Sequence, residues 1–431
     1  MNTGFFYRNG RLMVEQVALS EIAAAVGTPA YVYSSAGMRA QLQALQQAFA
    51  GQNMTICYAI KANSNIAVIR TLADAGAGAE IVSGGELQKA LAAGVPADMI
   101  MFAGVAKSKV EMAMALDAGI AQFNVESVPE LIALSEVAAA KKAKAPVAIR
   151  INPDVAADTH EKISTGRRQD KFGIAYEQAS EVYAMAASLA GIEPVGVHLH
   201  IGSQIMSLAP FEAAYARGAD LVRALRKDGI PIRRLDLGGG MGVRYRGDAR
   251  LDVAAYADLV RDITAGLDVE LLLEPGRYLV AEAGALLAKV RYVKDGDERP
   301  FAILDAGMND LIRPALYDAY HEIVPVEEAG PDAELTPTDV VGPICESSDI
   351  FARGRALPPL EAEDLVAFLG AGAYGAVMAS DYNARPLAAE VLVDGDQFAV
   401  IRPRIEPAAR FADERLPEWL EMPSLERGRA C

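Results

Sequence analysis

The chain has 431 residues, 52% hydrophobic and 23% charged, the balance of a soluble globular protein large enough for two domains. A formal net charge of −16 argues against a polyanionic partner such as nucleic acid, no apolar run has membrane-spanning length, and the sparse cysteines Cys57, Cys345 and Cys431 suit a reducing compartment. The opening MNTGFFYRNG lacks a basic-then-apolar leader, so a cytoplasmic location and a small-molecule partner are expected.

In chain order, FFYRNGRLMVEQV reads as a hairpin around Asn9–Gly10. From about residue 54 to 276 one theme repeats: a short apolar strand, a polar or glycine-bearing turn, an amphipathic helix. The strand candidates are TICYAI, AGAEIV, DMIMFA, AQFNVE, PVAIRIN, PVGVHLHI, RRLDLGG and VELLLEP, with helical stretches such as GGELQKALAAG, KVEMAMALDAG and VPELIALSEVAAAKKAK between them. Eight units are the number that closes a (β/α)8 TIM barrel, with an open doubly wound sheet as the alternative. After Arg277 the rhythm changes to strand-like runs, GALLAKVRYVK, FAILDAG, DVVGPICES, DLVAFLG and AAEVLVDGDQFAVI, joined by turns rich in glycine, aspartate and proline. The expected organisation is α/β: a barrel over residues 34–276, and a second, all-β domain made of residues 1–33 and 277–431. The tail after about Pro407 reads as a helix or an extension.

A barrel keeps its chemistry at the C-terminal ends of its strands, so polar residues there are site candidates. CYAIKAN, Cys57 to Asn63, reads as a buried strand closing on a lysine. Burying an ammonium group is costly unless it is paired or neutralised. Either the strand stops at Ile60 and Lys61 reaches solvent, or Lys61 is a Schiff-base lysine. Alternation puts Cys57, Ala59 and Lys61 on one face, where small neighbours leave room for a flat ligand. Glu80 and Ser83 fall at the end of strand two and Asn152 at the end of strand five. The glycines of GGGMG, Gly238 to Gly242, follow strand seven, and EPGR, with Glu274, Gly276 and Arg277, follows strand eight. Bare backbone N–H groups in such turns cradle phosphate, although a tight turn needing positive φ would also select glycine. In HLHIGS, His198 and His200 could bind metal, but no carboxylates can be placed around them, and no metal is expected. The other reading of His200 is an imidazole stacked on an aromatic ring. A carboxylate at Glu274 would keep a pyridine nitrogen protonated. Lysine, phosphate loops, stacking histidine and ring carboxylate together point to pyridoxal 5′-phosphate.

Beyond these single residues, the chain resembles the diaminopimelate decarboxylases, within the alanine-racemase-like pyridoxal-phosphate enzymes. The resemblance runs over nearly the whole chain and rests on YAIKAN, SGGEL, NPDV...THEKISTGRRQDKFGI, HLHIGSQ, LDLGGGMG, EPGR, GPICESSD and GAGAYGAVMASDYN, in that order. It implies decarboxylation of meso-2,6-diaminopimelate to L-lysine and CO2, the last step of lysine biosynthesis. By resemblance Lys61 binds the cofactor covalently, His200 stacks on its ring, Glu274 meets the pyridine nitrogen, and Ser203, Gly239, Gly240, Gly276 and Arg277 serve the phosphate. Arg277 also lies near substrate, and Tyr374 contacts cofactor and substrate. Cys345 is implied as the proton donor and Glu346 as ligand of the distal amino group, both entering the neighbouring subunit's site, so a homodimer with shared active sites is expected. Arg313 and Tyr317 would hold the distal carboxylate. Glu80 stands where the family more often has aspartate, which leaves its cofactor contact open. An ornithine- or arginine-type decarboxylase and a non-catalytic pyridoxal-phosphate-binding homologue are the alternatives.

Overall fold

The computed structural model describes residues 4–155, 171–247 and 250–420. Within them, eight parallel strands close into a barrel: β1 (Met54–Ala59), β2 (Gly78–Ile81), β3 (Ile100–Phe102), β4 (Gln122–Val125), β5 (Ala145–Asn152), β6 (Ile192–His198), β7 (Arg234–Asp236) and β8 (Glu270–Leu273). Each pairs with the next in sequence, and β8 returns to β1 through Leu271 opposite Met54. The open-sheet alternative is thereby excluded. These strands are almost wholly buried because helices cover them outside and side chains fill them inside. Cys57, Met101, Ala121 and Leu272 form a small apolar cluster of their own, apart from the main core.

The turns above several strands are tightened by one repeated device. Ser83, Ser108 and Ser127 each cap the following helix by accepting from the backbone N–H of Glu86, Glu111 and Glu130. A serine cap with an acid three residues on satisfies otherwise unpaired helix donors, at about 1 kcal/mol per cap. These three loops, after β2, β3 and β4, are short.

The second domain is built on Gly284–Lys294, which pairs antiparallel with Ala30–Ser34, Phe301–Leu304 and Leu365–Leu369. Strands Thr336–Val341 and Ile350–Leu357 extend the sheet one way, Ala389–Asp394 and Gln397–Arg402 the other. The early strand Ala30–Ser34 lies between Gly284–Lys294 and Ala389–Asp394, so the chain's beginning completes the sheet made by its end. The Asn9–Gly10 hairpin is present, with Arg8 opposite Arg11 and both turn residues at positive φ. A helix, Leu19–Val26, follows it and packs Leu19 and Ile22 against Val32, Leu287 and Val391.

The structure corrects the reading of CYAIKAN. Strand β1 ends at Ala59, and Lys61 sits in a 3-10 turn, Ile60–Ala62. The neighbouring β8 stops at Leu273, and the EPGR turn crosses over the top of β1. There Ala59 N donates to Pro275 O, and an added Cβ on Gly276 would lie 3.1 Å from both Ala59 and Ala62. On the β8 side pairing ends at Leu273 opposite Ile56, and the chain turns after Ala59, so strand alternation does not set the direction of Lys61.

Candidate active site

Lys61 projects from its turn onto β2, where its Nζ lies 2.8 and 3.0 Å from the two carboxylate oxygens of Glu80. Glu80 is fully buried, whereas the Lys61 side chain is 37% exposed. Burial works against the ammonium form, but Glu80, with Tyr374 and Glu274, outweighs it and raises the pKa of Lys61 above its ordinary value. Glu80, longer by one methylene than the family's usual aspartate, therefore reaches the amine directly.

Glu274 follows β8 and is buried, accepting from Asn124 Nδ2 at 3.0 Å and facing His198 Nε2 at 3.3 Å. Burial, then the charge of Glu80, pushes its carboxyl up to about 8. His200 lies just past β6 rather than on it. Its Nδ1 accepts from Gly239 N at 3.1 Å, and burial, with Arg150 nearby, holds the ring well below its usual pKa, so it is a neutral imidazole. The carboxylates absent from the reading of HLHIGS are Asp236 and Glu274, whose oxygens lie within 4.8 Å of a nitrogen of His198. Asn124 Nδ2 donates to both of them, so an N–H group already occupies the electrostatic role a cation would take there.

The glycines are required by close approach. A Cβ on Gly239 would lie 2.4 Å from Glu274 O, and one on Gly240, at φ +109, 2.7 Å from Gly202 O. The loop after β7 thus packs backbone to backbone against the ends of β6 and β8, with Gly238 N donating to Asp236 Oδ1 and Gly239 N to His200 Nδ1. Arg277, also buried, donates to Ser203 Oγ at 3.1 and 3.3 Å and to Tyr245 OH at 3.0 Å, and its guanidinium lies 4.7 Å from the Tyr374 ring. Tyr374 holds a positive φ of 55° and donates its N–H to Ala62 O at 2.8 Å, which ties the second domain to the Lys61 turn.

Arg313 begins a short helix, Arg313–Tyr317, on which Tyr317 is half-buried. Its Nη1 donates to His321 Nε2 at 2.9 Å, and His321 Nδ1 donates in turn to Leu369 O at 3.0 Å. Burial and the Arg313 charge push His321 down to about 3, so it acts as a neutral acceptor. Arg313 also stacks 4.7 Å from the Tyr245 ring. Tyr245 therefore stands between Arg277 and Arg313, which overcome its burial and lower its hydroxyl pKa. Sequence reasoning missed Tyr245, His321, Asn124 and Asp236. The one local signal for Tyr245 is an aromatic between two arginines in VRYRG, directly after the glycine loop.

Cys345 and Glu346 are exposed, and their contacts run elsewhere: Cys345 N to Asn383 Oδ1 at 3.2 Å, and Glu346 from Tyr382 OH at 2.5 Å and Ser348 Oγ at 3.0 Å. They adjoin a 750 Å³ cleft lined by Arg246, Tyr320, Ser347, Ser348, Arg353 and Arg355, among others, which Lys61 does not line. One chain thus gathers Lys61, Glu80, His200, Ser203, Gly239, Gly240, Glu274, Gly276, Arg277 and Tyr374 at one rim, with Arg313 joined to them through Tyr245. Cys345 and Glu346 stand apart. The THEKISTGRRQD stretch falls within residues 156–170, which, with Cys431, lie outside the described residues.

The donor set fits pyridoxal phosphate: a primary amine at Lys61, a buried acid at Glu274, a neutral ring at His200, and Arg277 and Ser203 beside the close-packed glycine loop for a dianion. The Gly239 cradle supports the fit, because a single methyl there would collide with the backbone that holds Glu274.

A family sequence model described as "Pyridoxal-dependent decarboxylase, pyridoxal binding domain" matches residues 35–281. The chain is 48% identical to the diaminopimelate decarboxylase of Zymomonas mobilis over 422 residues, covering 96% of this chain and 99% of that protein. It is 50% identical to that of Pseudomonas fluorescens over 413 residues, with 96% and 99% covered. A crystal structure of diaminopimelate decarboxylase from M. jannaschii in complex with L-lysine superposes with a TM-score of 0.92 at 38% identity, covering 97% and 99% of the two chains.

Proposed function

Because the chain belongs to the pyridoxal-dependent decarboxylases and, within them, to the diaminopimelate decarboxylases, we propose that the rim around Lys61 is the active site. The reaction is the pyridoxal-phosphate-dependent decarboxylation of meso-2,6-diaminopimelate to L-lysine and CO2, the last step of lysine biosynthesis. The observation that carries the site assignment is the convergence of Lys61, His200, Glu274 and Arg277 from three separate strand ends, those of β1, β6 and β8, onto one rim.

When bound, the cofactor supplies an electron sink for the electron pair left behind by departing CO2. The chain's own residues hold and aim the reactants. Lys61 offers the amine that binds the cofactor, and Glu80 keeps that amine charged and oriented until then. Arg277, Ser203, Gly239, Gly240 and Gly276 bind the phosphate, and His200 offers the flat face of a neutral ring. Glu274 holds a proton at the pyridine nitrogen. Arg313, fixed by His321 and Tyr245, presents its remaining N–H groups to the distal carboxylate, a pairing that planar guanidinium geometry favours. Tyr317 and Tyr374 line the same space. Cys345 delivers the proton to Cα, and Glu346 binds the distal ammonium group.

The exposure of Cys345 and Glu346 in a single chain supports a homodimer in which each subunit lends this pair to its neighbour's site. Among the described residues no helix is long and apolar enough to cross a membrane, and a cytoplasmic enzyme is the reading we adopt. Borohydride treatment should fix the cofactor on Lys61, read by mass spectrometry of the digest. In parallel, CO2 release should be seen from meso-diaminopimelate and not from ornithine, arginine or lysine. Turnover of ornithine at a comparable kcat/KM would reject the two-headed substrate clamp.

A further inference from the structure

We infer that Tyr245 is a specificity-determining positioning residue: one phenol holds Arg277 and Arg313 side by side, so that the rim receives a phosphate and a second carboxylate together. The inference deepens the reading of Arg313 as the residue that meets the distal carboxylate, and it rests on that reading. The three residues come from separate parts of the chain. Tyr245 lies on the loop after β7, Arg277 follows β8, and Arg313 opens a short helix of the second domain.

The arrangement poses an electrostatic problem. Arg277 and Arg313 are both buried. Burial makes the charge of Arg313 unfavourable, Tyr245 offsets part of that effect, and the charge of Arg277 adds to it. Among the described residues the hydrogen bonds of the two guanidiniums go to hydroxyl and imidazole groups, not to carboxylates: Arg277 to Ser203 and Tyr245, Arg313 to His321. Two buried cations without a carboxylate of their own suit anions brought in from outside the chain.

Tyr245 meets the pair in two ways. Its hydroxyl oxygen accepts from Arg277 Nη1 at 3.0 Å, and hydrogen bonding to Arg313 draws on the same oxygen. The Arg313 guanidinium also lies over its ring, 4.7 Å from the centroid, where the ring quadrupole attracts a cation. The ring itself is seated. His321 meets it edge-on with centroids 5.4 Å apart, and a Cβ on Gly370, at φ +70, would lie 3.2 Å from its Cε1. The ring restricts where the Arg313 guanidinium can sit, and the 2.9 Å bond to His321 Nε2 restricts its rotation. A guanidinium held on two sides is pre-organised for bidentate recognition of a carboxylate. Tyr245 acts on substrate only through the two arginines.

Two variants of the full-length protein test this. Tyr245→Phe keeps the ring and deletes the shared acceptor, and Tyr245→Leu deletes both. In Tyr245→Phe the KM for meso-diaminopimelate should rise about tenfold or more, with kcat within about threefold of the wild type. Tyr245→Leu should raise KM by a further factor of about three. L-lysine keeps the distal carboxylate after CO2 has left, and cadaverine has none. Competitive inhibition by L-lysine should therefore weaken with KM, while inhibition by cadaverine stays unchanged. Equilibrium dialysis of the cofactor-free protein should also show weaker binding of pyridoxal phosphate in both variants, because Arg277 loses the same partner. Unchanged KM and cofactor affinity in folded Tyr245→Phe would overturn the inference. An equal loss for L-lysine and cadaverine, or a lower kcat at unchanged KM, would mark a structural role and overturn it too. If the wild type releases no CO2 from meso-diaminopimelate, the reading of Arg313 fails instead, and dialysis still tests the contact with Arg277. Should Tyr245→Leu not fold, Tyr245→Phe decides alone.

Discussion

Glu80 grips the Lys61 amine through both carboxylate oxygens, and this contact sets how readily the amine can act as a nucleophile. Because the carboxylate raises the lysine's pKa, Glu80→Gln should lower it. The pH at which cofactor attaches at half its maximal rate should move down, as followed by absorbance during reconstitution; an unshifted profile would show that another group controls Lys61. The same residue illustrates how far one position can be read from sequence. That an acid stands at the end of β2 was legible, but its reach to Nζ depends on where the turn after β1 points Lys61. Arg313 shows the reverse: motif context singles it out, whereas Tyr245 and His321, which aim it, come from a loop after β7 and a stretch after its own helix.

At the scale of elements, the loop after β7 and the β4–β5 pair do different work. The loop tolerates no side chain at Gly239, where a Cβ would lie 2.4 Å from Glu274 O. Overpacking of this kind costs about 1–3 kcal/mol, so Gly239→Ala should weaken cofactor binding by about tenfold or more in equilibrium dialysis, through displacement of His200 and Glu274. The β4–β5 pair is locked by Glu126 and Arg150, whose charges are buried 2.9 Å apart, with Gly173 N and His200 O as further partners. Burial alone would raise the Glu126 carboxyl, but Arg150 reverses this and holds it below the ordinary range. The folded pKa being depressed, the pair's stabilisation is complete above the unfolded carboxylate pKa of about 4.3 and is lost as pH falls through the lower folded value. Glu126→Gln should therefore lose about 3–5 kcal/mol at neutral pH, where it strands Arg150. In thermal melts the gap from the wild type should narrow below about pH 4.

For the whole molecule, the decisive feature is that Cys345 and Glu346 are exposed while the rim around Lys61 is assembled without them. If each subunit lends this pair to its neighbour, two inactive variants should complement. A mixture of Lys61→Ala and Cys345→Ala proteins, dissociated and reassociated, should regain about a quarter of wild-type activity, because half the dimers are mixed and each holds one competent site. A mixture as inactive as its components would place the proton donor within one chain or on another residue.

Sequence by itself determined the eight strand–helix repeats and pointed to a barrel, since that periodicity is local, while the pairing of β8 with β1 decided its closure. It also determined which strand ends carry polar residues, because these interrupt apolar runs at visible places: Glu80, Asn152, His200, Glu274. What the tertiary structure decided were contacts between residues far apart in the chain. Ala30–Ser34 finds its place between strands more than 250 residues later, at 284–294 and 389–394. Asn124 bridges Asp236 and Glu274 at separations of 112 and 150 residues. Periodicity carries no record of such pairings, because they depend on which side chains barrel closure turns toward one another. Closure also ended β1 at Ala59, by carrying the EPGR turn across it, and so set Lys61 on a turn above the barrel rather than on a strand within it.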